Sequence, residues 1–161
     1  MQGGRPEFRC GALILFFALV FALGVSAQAF AQRLVVSTWD TGRVLLELGL
    51  SGDPHWEIRW NHSVAGFLVR DFYRYEGGDM LLTATHTPDF AAGLGHIPGR
   101  GRLISDSKGG YWIREIDEVV PGNRYLLRVG AKRVDHRIFH AGVVYSLDEA
   151  AGERVVVAVV P

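Results

Sequence analysis

Ser63 directly follows His62, and a hydroxyl beside an imidazole is the pairing that nucleophilic acyl transfer uses. The flanking residues do not complete a nucleophile elbow. That turn needs glycine two positions to each side of the serine, where this chain has Asn61 and Ala65. On a strand, neighbouring side chains also point to opposite faces, so His62 is poorly placed to serve Ser63 as a base. A triad assembled from distant residues stays open, because triads are defined by geometry rather than order.

The six histidines are His55, His62, His86, His96, His136 and His140. His136 and His140 would share one face of a strand, roughly 13 Å apart along it, too far to hold one metal without a bulge. His62, His86 and His96 could converge across a sheet. Zinc would need three or four such ligands with supporting groups, and nothing in the spacing selects them. No metal or cofactor is therefore expected.

Residues 93–101 form a glycine-rich stretch that contains Arg100 and is followed by Arg102. It lacks the lysine and following helix that let such loops cradle phosphate. Arginine instead suits carboxylates, through paired hydrogen bonds, so Arg100 and Arg102 are candidates for a small-carboxylate site.

These residues must be positioned by strands. Trp56, Ile58, Trp60 and His62 alternate with His55, Glu57, Arg59 and Asn61, a period of two with one apolar face. Residues 67–75 and 79–87 are strand-like runs separated by Gly77-Gly78, a hairpin signal. Residues 111–120 form another run, broken by Pro121-Gly122-Asn123 before residues 125–129. Residues 138–147 and 154–160 complete the set. The wholly apolar stretch 155–160 predicts a central strand with both faces covered. One helical turn is expected over 147–153. The aromatics Trp56, Trp60, Phe67, Phe72, Tyr73 and Tyr75 are expected to pack in the core. Many short strands with regular turns predict an all-β, antiparallel, single-domain sandwich or partly closed barrel.

The first 31 residues read differently. Arg5 and Arg9 precede an uncharged apolar run over residues 11–25, and small residues then give Ala27-Gln28-Ala29 and Ala29-Phe30-Ala31. A basic start, an apolar middle and an A-x-A site predict a secretory signal peptide over 1–31, or else an uncleaved hydrophobic anchor helix. The domain over 32–161 is then expected in the periplasm or tethered at the outer face of the inner membrane. Cys10 is the only cysteine and lies in this segment, so the domain has no thiol or disulfide chemistry. The 130 residues from 32 onward carry 15 basic and 16 acidic side chains, which is not the charge of a nucleic-acid binder. Basic residues outnumber acidic ones nine to five over 97–140.

The segments Trp60-Asn61-His62-Ser63-Val64 and Phe67-Leu68-Val69-Arg70-Asp71-Phe72-Tyr73, with Phe90-Ala91-Ala92-Gly93-Leu94-Gly95 downstream, carry a resemblance. The chain resembles the small exported bacterial family called domain of unknown function 1850. That family shows a His-Ser-Val motif, an acidic residue after a short strand, and a Gly-Ala-Gly-Leu-Pro stretch. Here Asp71 stands where glutamate is usual, Ala91 in place of the first glycine, and Gly95 in place of the proline. The resemblance implies no enzyme activity. It implies association with TRAP transporters of the TAXI type, which take up small organic acids, with a permease or an exported solute-binding protein as partner.

His62, Ser63, Asp71, Gly93 and Leu94 are then the motif positions of interest. Hydroxyl, imidazole and carboxylate could form one polar network that either orders the strand pair or lines a ligand site. The expected function is a non-catalytic accessory of solute uptake. A small-carboxylate-binding module and an extracytoplasmic hydrolase are the alternatives.

Overall fold

The structure is a computed structural model that describes residues 32–89, 97, 99–107 and 109–161. The expected leader, and the positions Gly93 and Leu94, lie outside the described residues. Among those described, no helix is long and apolar enough to cross a membrane.

The architecture is all-β and antiparallel, in two sheets that do not close into a barrel. The narrow sheet has the order β2–β1–β12–β9, from β1 (Arg33–Thr38), β2 (Val44–Gly49), β12 (Arg154–Val160) and β9 (Arg124–Arg128). The wide sheet has the order β11–β10–β3–β4–β5–β7–β6. Its strands are β3 (His55–Asn61), β4 (Leu68–Glu76), β5 (Asp79–Thr87), β6 (Arg102–Ser105), β7 (Tyr111–Arg114), β10 (Arg137–His140) and β11 (Val143–Ser146). A two-residue strand, β8 (Glu118–Val119), pairs with β5 beyond the end of β7.

Alternation decides which side chains enter the core. From the narrow sheet come Leu34, Val36, Leu48, Val155, Val157 and Val159; from the wide sheet come Trp56, Ile58, Tyr73, Met80 and Ile138. Trp56 stacks on Tyr73 at 5.6 Å, directly opposite it in register, and Tyr73 stacks on Tyr125 of β9 at 5.3 Å. β12 lies centrally, as its apolar run predicts. Only alternate residues are fully buried, and Val156, Ala158 and Val160 are half-covered on the outer face.

Gly77 and Gly78 take φ of +64° and +99° at the β4–β5 hairpin, the tight turn expected there. The run 138–147 proves to be two strands, turned by Ala141 and Gly142, both at positive φ. The run 111–120 also splits, because Glu115 and Asp117 take positive φ between β7 and β8. The helical turn expected near 147–153 is a 3₁₀ turn over Asp148–Ala150. The β4–β5 register shifts between Phe72 and Tyr73, so Thr83 is an extra residue on β5 and its hydroxyl donates to the Phe72 carbonyl at 3.1 Å. Such a bulge re-aims side chains and adds twist.

Candidate functional site

The predicted polar network does not form. His62 is not on β3 but opens the β3–β4 turn. Its backbone accepts from the Gly66 N–H at 2.9 Å and donates to the Phe67 carbonyl at 2.7 Å. Gly66, at φ +74°, closes this turn. The His62 Nδ1 accepts from the Ala65 N–H at 3.1 Å and the ring stacks on Phe67 at 5.0 Å. Ser63 and Val64 are exposed at the tip, Val64 to 90%. The His-Ser-Val segment therefore builds a turn, with an imidazole satisfying a backbone donor.

Asp71 is elsewhere, on the inner face of β4 opposite Ile58 and Thr85. The Thr85 hydroxyl donates to its Oδ1 at 2.7 Å. Burial pushes the Asp71 carboxyl up from its ordinary value, against the opposing pulls of the Thr85 hydrogen bond and the Arg100 charge. The Tyr73 hydroxyl, beside it on the same face, is driven up chiefly by burial and then by the Asp71 charge.

The histidines separate likewise. His136 and His140 do share the inner face. The His136 Nδ1 accepts from the Gly130 N–H at 3.2 Å and the ring stacks on Trp60. Burial lowers its pKa from the ordinary value. His140 lies 2.9 Å from the His55 carbonyl through Nδ1. Among the described residues no group of three histidine, cysteine or acidic side chains could hold a metal.

Arg100 and Arg102 each have a carboxylate already. Arg100 donates to Glu118 at 2.7 Å and Arg102 to Glu115 at 2.9 Å. Each guanidinium thus faces its own glutamate, and Arg102 also lines a cavity on the outer face of the wide sheet.

The structure's main surface feature is the outer face of the wide sheet. Register lines its side chains up in two rows across the strands. One row runs Arg137, Arg59, Arg70, His86, Trp112, Ile104, each residue directly opposite the next. The other runs Phe139, Glu57, Phe72, Ala84 on β10, β3, β4 and β5. It continues one step beyond the Thr85–Ile113 pair to Arg114, which faces Arg102.

Like charges directly opposite on neighbouring strands destabilise a sheet. Here the cost is offset locally. Glu57 accepts from the Arg59 Nε at 2.8 Å and from the Arg70 Nε and Nη2 at 2.9 Å each. The guanidinium of Arg59 lies 4.0 Å over the Phe139 ring, and that of Arg70 lies 4.7 Å over Phe72. Trp112 is the centre of the array. Arg114 lies 4.5 Å and Arg70 5.9 Å from its ring centroid, and His86 packs at 4.6 Å while bonding Asp106 at 3.2 Å.

Two cavities open on this face. One of about 560 Å³ is lined by Phe72, Thr83, Trp112 and Ile104 and by four charged side chains, Arg102, Arg114, Glu115 and Asp117. Arg114 has no carboxylate partner among the described residues, so its hydrogen-bonding fork is open to a ligand. The aromatic floor lowers the local dielectric and supplies contact area, while an open guanidinium supplies direction; together they suit a small carboxylate.

Trp112, Arg114 and Arg70 are the residues that reading the chain alone did not select, and Phe72 faces outward rather than into the core. The signal was present in the alternation. Ile113 is buried, which obliges Trp112 and Arg114 to face the other way.

No curated protein and no solved structure matches the chain. Residues 56–147 match the family described as Domain of unknown function (DUF1850), a span that runs from β3 to the end of β11 and so holds every strand of the wide sheet. With more than half of its length matched, the chain belongs to that family.

Proposed function

We propose that this domain is an exported, non-catalytic accessory of solute uptake, and that it holds a carboxylate on the outer face of its wide sheet. The association with a TAXI-type TRAP system for organic acids, and the periplasmic or membrane-tethered location, rest on the family resemblance and the leader. The observation that carries the binding reading is Arg114. An exposed guanidinium stacked on Trp112, with no acidic partner among the described residues, borders a cavity large enough for a small organic acid. Glu57 serves both Arg59 and Arg70, so these three side chains together carry one positive charge.

The test is titration calorimetry of the purified protein against a panel of short mono- and dicarboxylates. Binding is expected for at least one acid, with Arg114→Gln weakening it about tenfold or more. No heat from any acid of the panel rejects the carboxylate site. The partnership is tested separately by pull-down from membranes with the tagged protein. Recovery of a permease or an exported solute-binding protein is expected, and recovery of neither rejects it.

A further inference from the structure

The second cavity on the outer face, of about 200 Å³, is lined by Asp53, His55, Glu57, Phe72, Thr83 and Phe139, among others. It shares Phe72 and the bulge residue Thr83 with the cavity beside Trp112. The two therefore adjoin at Phe72 and Thr83 and would together give one groove that crosses the strands. At one end Arg114 and Arg102 stand with Glu115 and Asp117; Arg102 is paired with Glu115 and Asp117 lies 3.9 Å from Arg74, which leaves Arg114 as the cation without a carboxylate partner among the described residues. At the other stands Asp53, whose Oδ1 takes the His55 backbone N–H and lies beside His55 Nδ1, both at 3.0 Å. Its Oδ2 has no partner among the described residues. The His55 backbone hydrogen bond holds the Asp53 carboxyl below its ordinary value, so this end stays anionic at neutral pH.

The length follows from the sheet. Arg114 on β7 is three strand spacings from β3, and Asp53 lies beyond the start of β3. That gives roughly 15–20 Å between the charged ends, the span of about five residues of extended peptide. Short dicarboxylates would fill only the Arg114 half.

We propose that the groove takes a short free peptide of about five residues. Its terminal carboxylate would sit on Arg114, its apolar middle on Phe72 and Trp112, and its terminal amine on Asp53. This rests on the carboxylate reading of the Arg114 end and adds the second, cation-binding end.

The experiment titrates the purified full chain with one pentapeptide of apolar central residues in three forms: free, N-acetylated and C-amidated. The free form is expected to bind, and each block to weaken binding about tenfold. Asp53→Asn, which keeps the oxygen that caps His55, should abolish the preference for the free amine and preserve the preference for the free carboxylate. Arg114→Gln should do the reverse. Circular dichroism of both variants checks that they fold. If acetylation costs nothing while amidation still weakens binding, the amine end is wrong and the carboxylate site stands. The peptide proposal falls in the same way if no peptide form binds but a short dicarboxylate does. If neither peptides nor dicarboxylates bind, both readings fail.

Discussion

Arg59 and Arg70 stand directly opposite one another on β3 and β4, and both donate to the single carboxylate of Glu57. Glu57 is 13% exposed at its side chain, so this is a partly desolvated trio rather than a loose surface pair. One acid there holds two cations against their mutual repulsion, and its removal is felt twice.

Glu57→Gln is therefore expected to destabilise the domain by about 2 kcal/mol, between the small effect of an exposed pair and the larger one of a buried pair. The same change releases two guanidiniums onto the outer face, so carboxylate affinity should rise as stability falls. Urea unfolding with parallel calorimetry reads both. An unchanged midpoint would show that the cation–π contacts with Phe139 and Phe72 carry the arginines alone.

Asp71→Asn should act in the opposite direction on stability. Burial raises the folded-state pKa of Asp71 above its unfolded value, so ionising the carboxyl costs the folded state. The contribution of Asp71 to stability is then fully present below the ordinary value of 3.8 and is lost as pH rises through the folded value. Asparagine keeps an oxygen for the Thr85 hydroxyl and removes the charge. Thermal unfolding at pH 7 should show a Tm gain of a few degrees for the variant, shrinking to nothing below pH 3.8. A loss of Tm at pH 7 would mean that the Arg100 charge and Thr85 outweigh desolvation.

How far the chain could be read without coordinates depended on whether the signal was local. The alternation around Trp56 and Ile58 and the pair Gly77-Gly78 are local, and they place β3, β4 and β5 correctly. The turn at Ala141-Gly142 was hidden because alanine seldom takes positive φ, so two strands read as one. No strand was read over 33–49, where Leu45 and Leu46 are both half-buried and blur the period of two. His62 looked like the next alternating strand residue, but a glycine four positions on closes a turn instead. The outer-face array was illegible for a different reason. Arg59, Arg70, His86 and Trp112 are brought into one row only by the register of β3, β4, β5 and β7. That register depends on non-local pairing and on the bulge at Thr83.

The His-Ser-Val turn supplies a third prediction. His62→Ala leaves the Ala65 N–H without its acceptor and removes the stack on Phe67, and should cost about 1 kcal/mol, the usual scale for losing a side-chain cap. Ser63→Ala, at an exposed position, should be neutral within about 0.5 kcal/mol. Chemical denaturation separates the two. A large loss of stability for Ser63→Ala would mean that its hydroxyl helps to hold the turn.

Gly101 links the stability of the fold to the carboxylate site. It precedes β6 at φ +67°, and an added Cβ would lie 2.6 Å from the Arg114 carbonyl oxygen and 3.0 Å from Ile113 and Ile116 side-chain atoms. Backbone and core both oppose it, and the conformation itself disfavours any side chain. Gly101→Ala should therefore cost about 2 kcal/mol or more, by strain and by displacing β6 from β7. Because Arg102 faces Arg114 across that same strand pair, the variant should also weaken carboxylate binding although no ligand-facing group has changed. Measuring affinity at a temperature where the variant remains folded isolates this second effect. Wild-type affinity in a destabilised variant would show that the Arg114 end of the groove does not depend on the β6–β7 pairing.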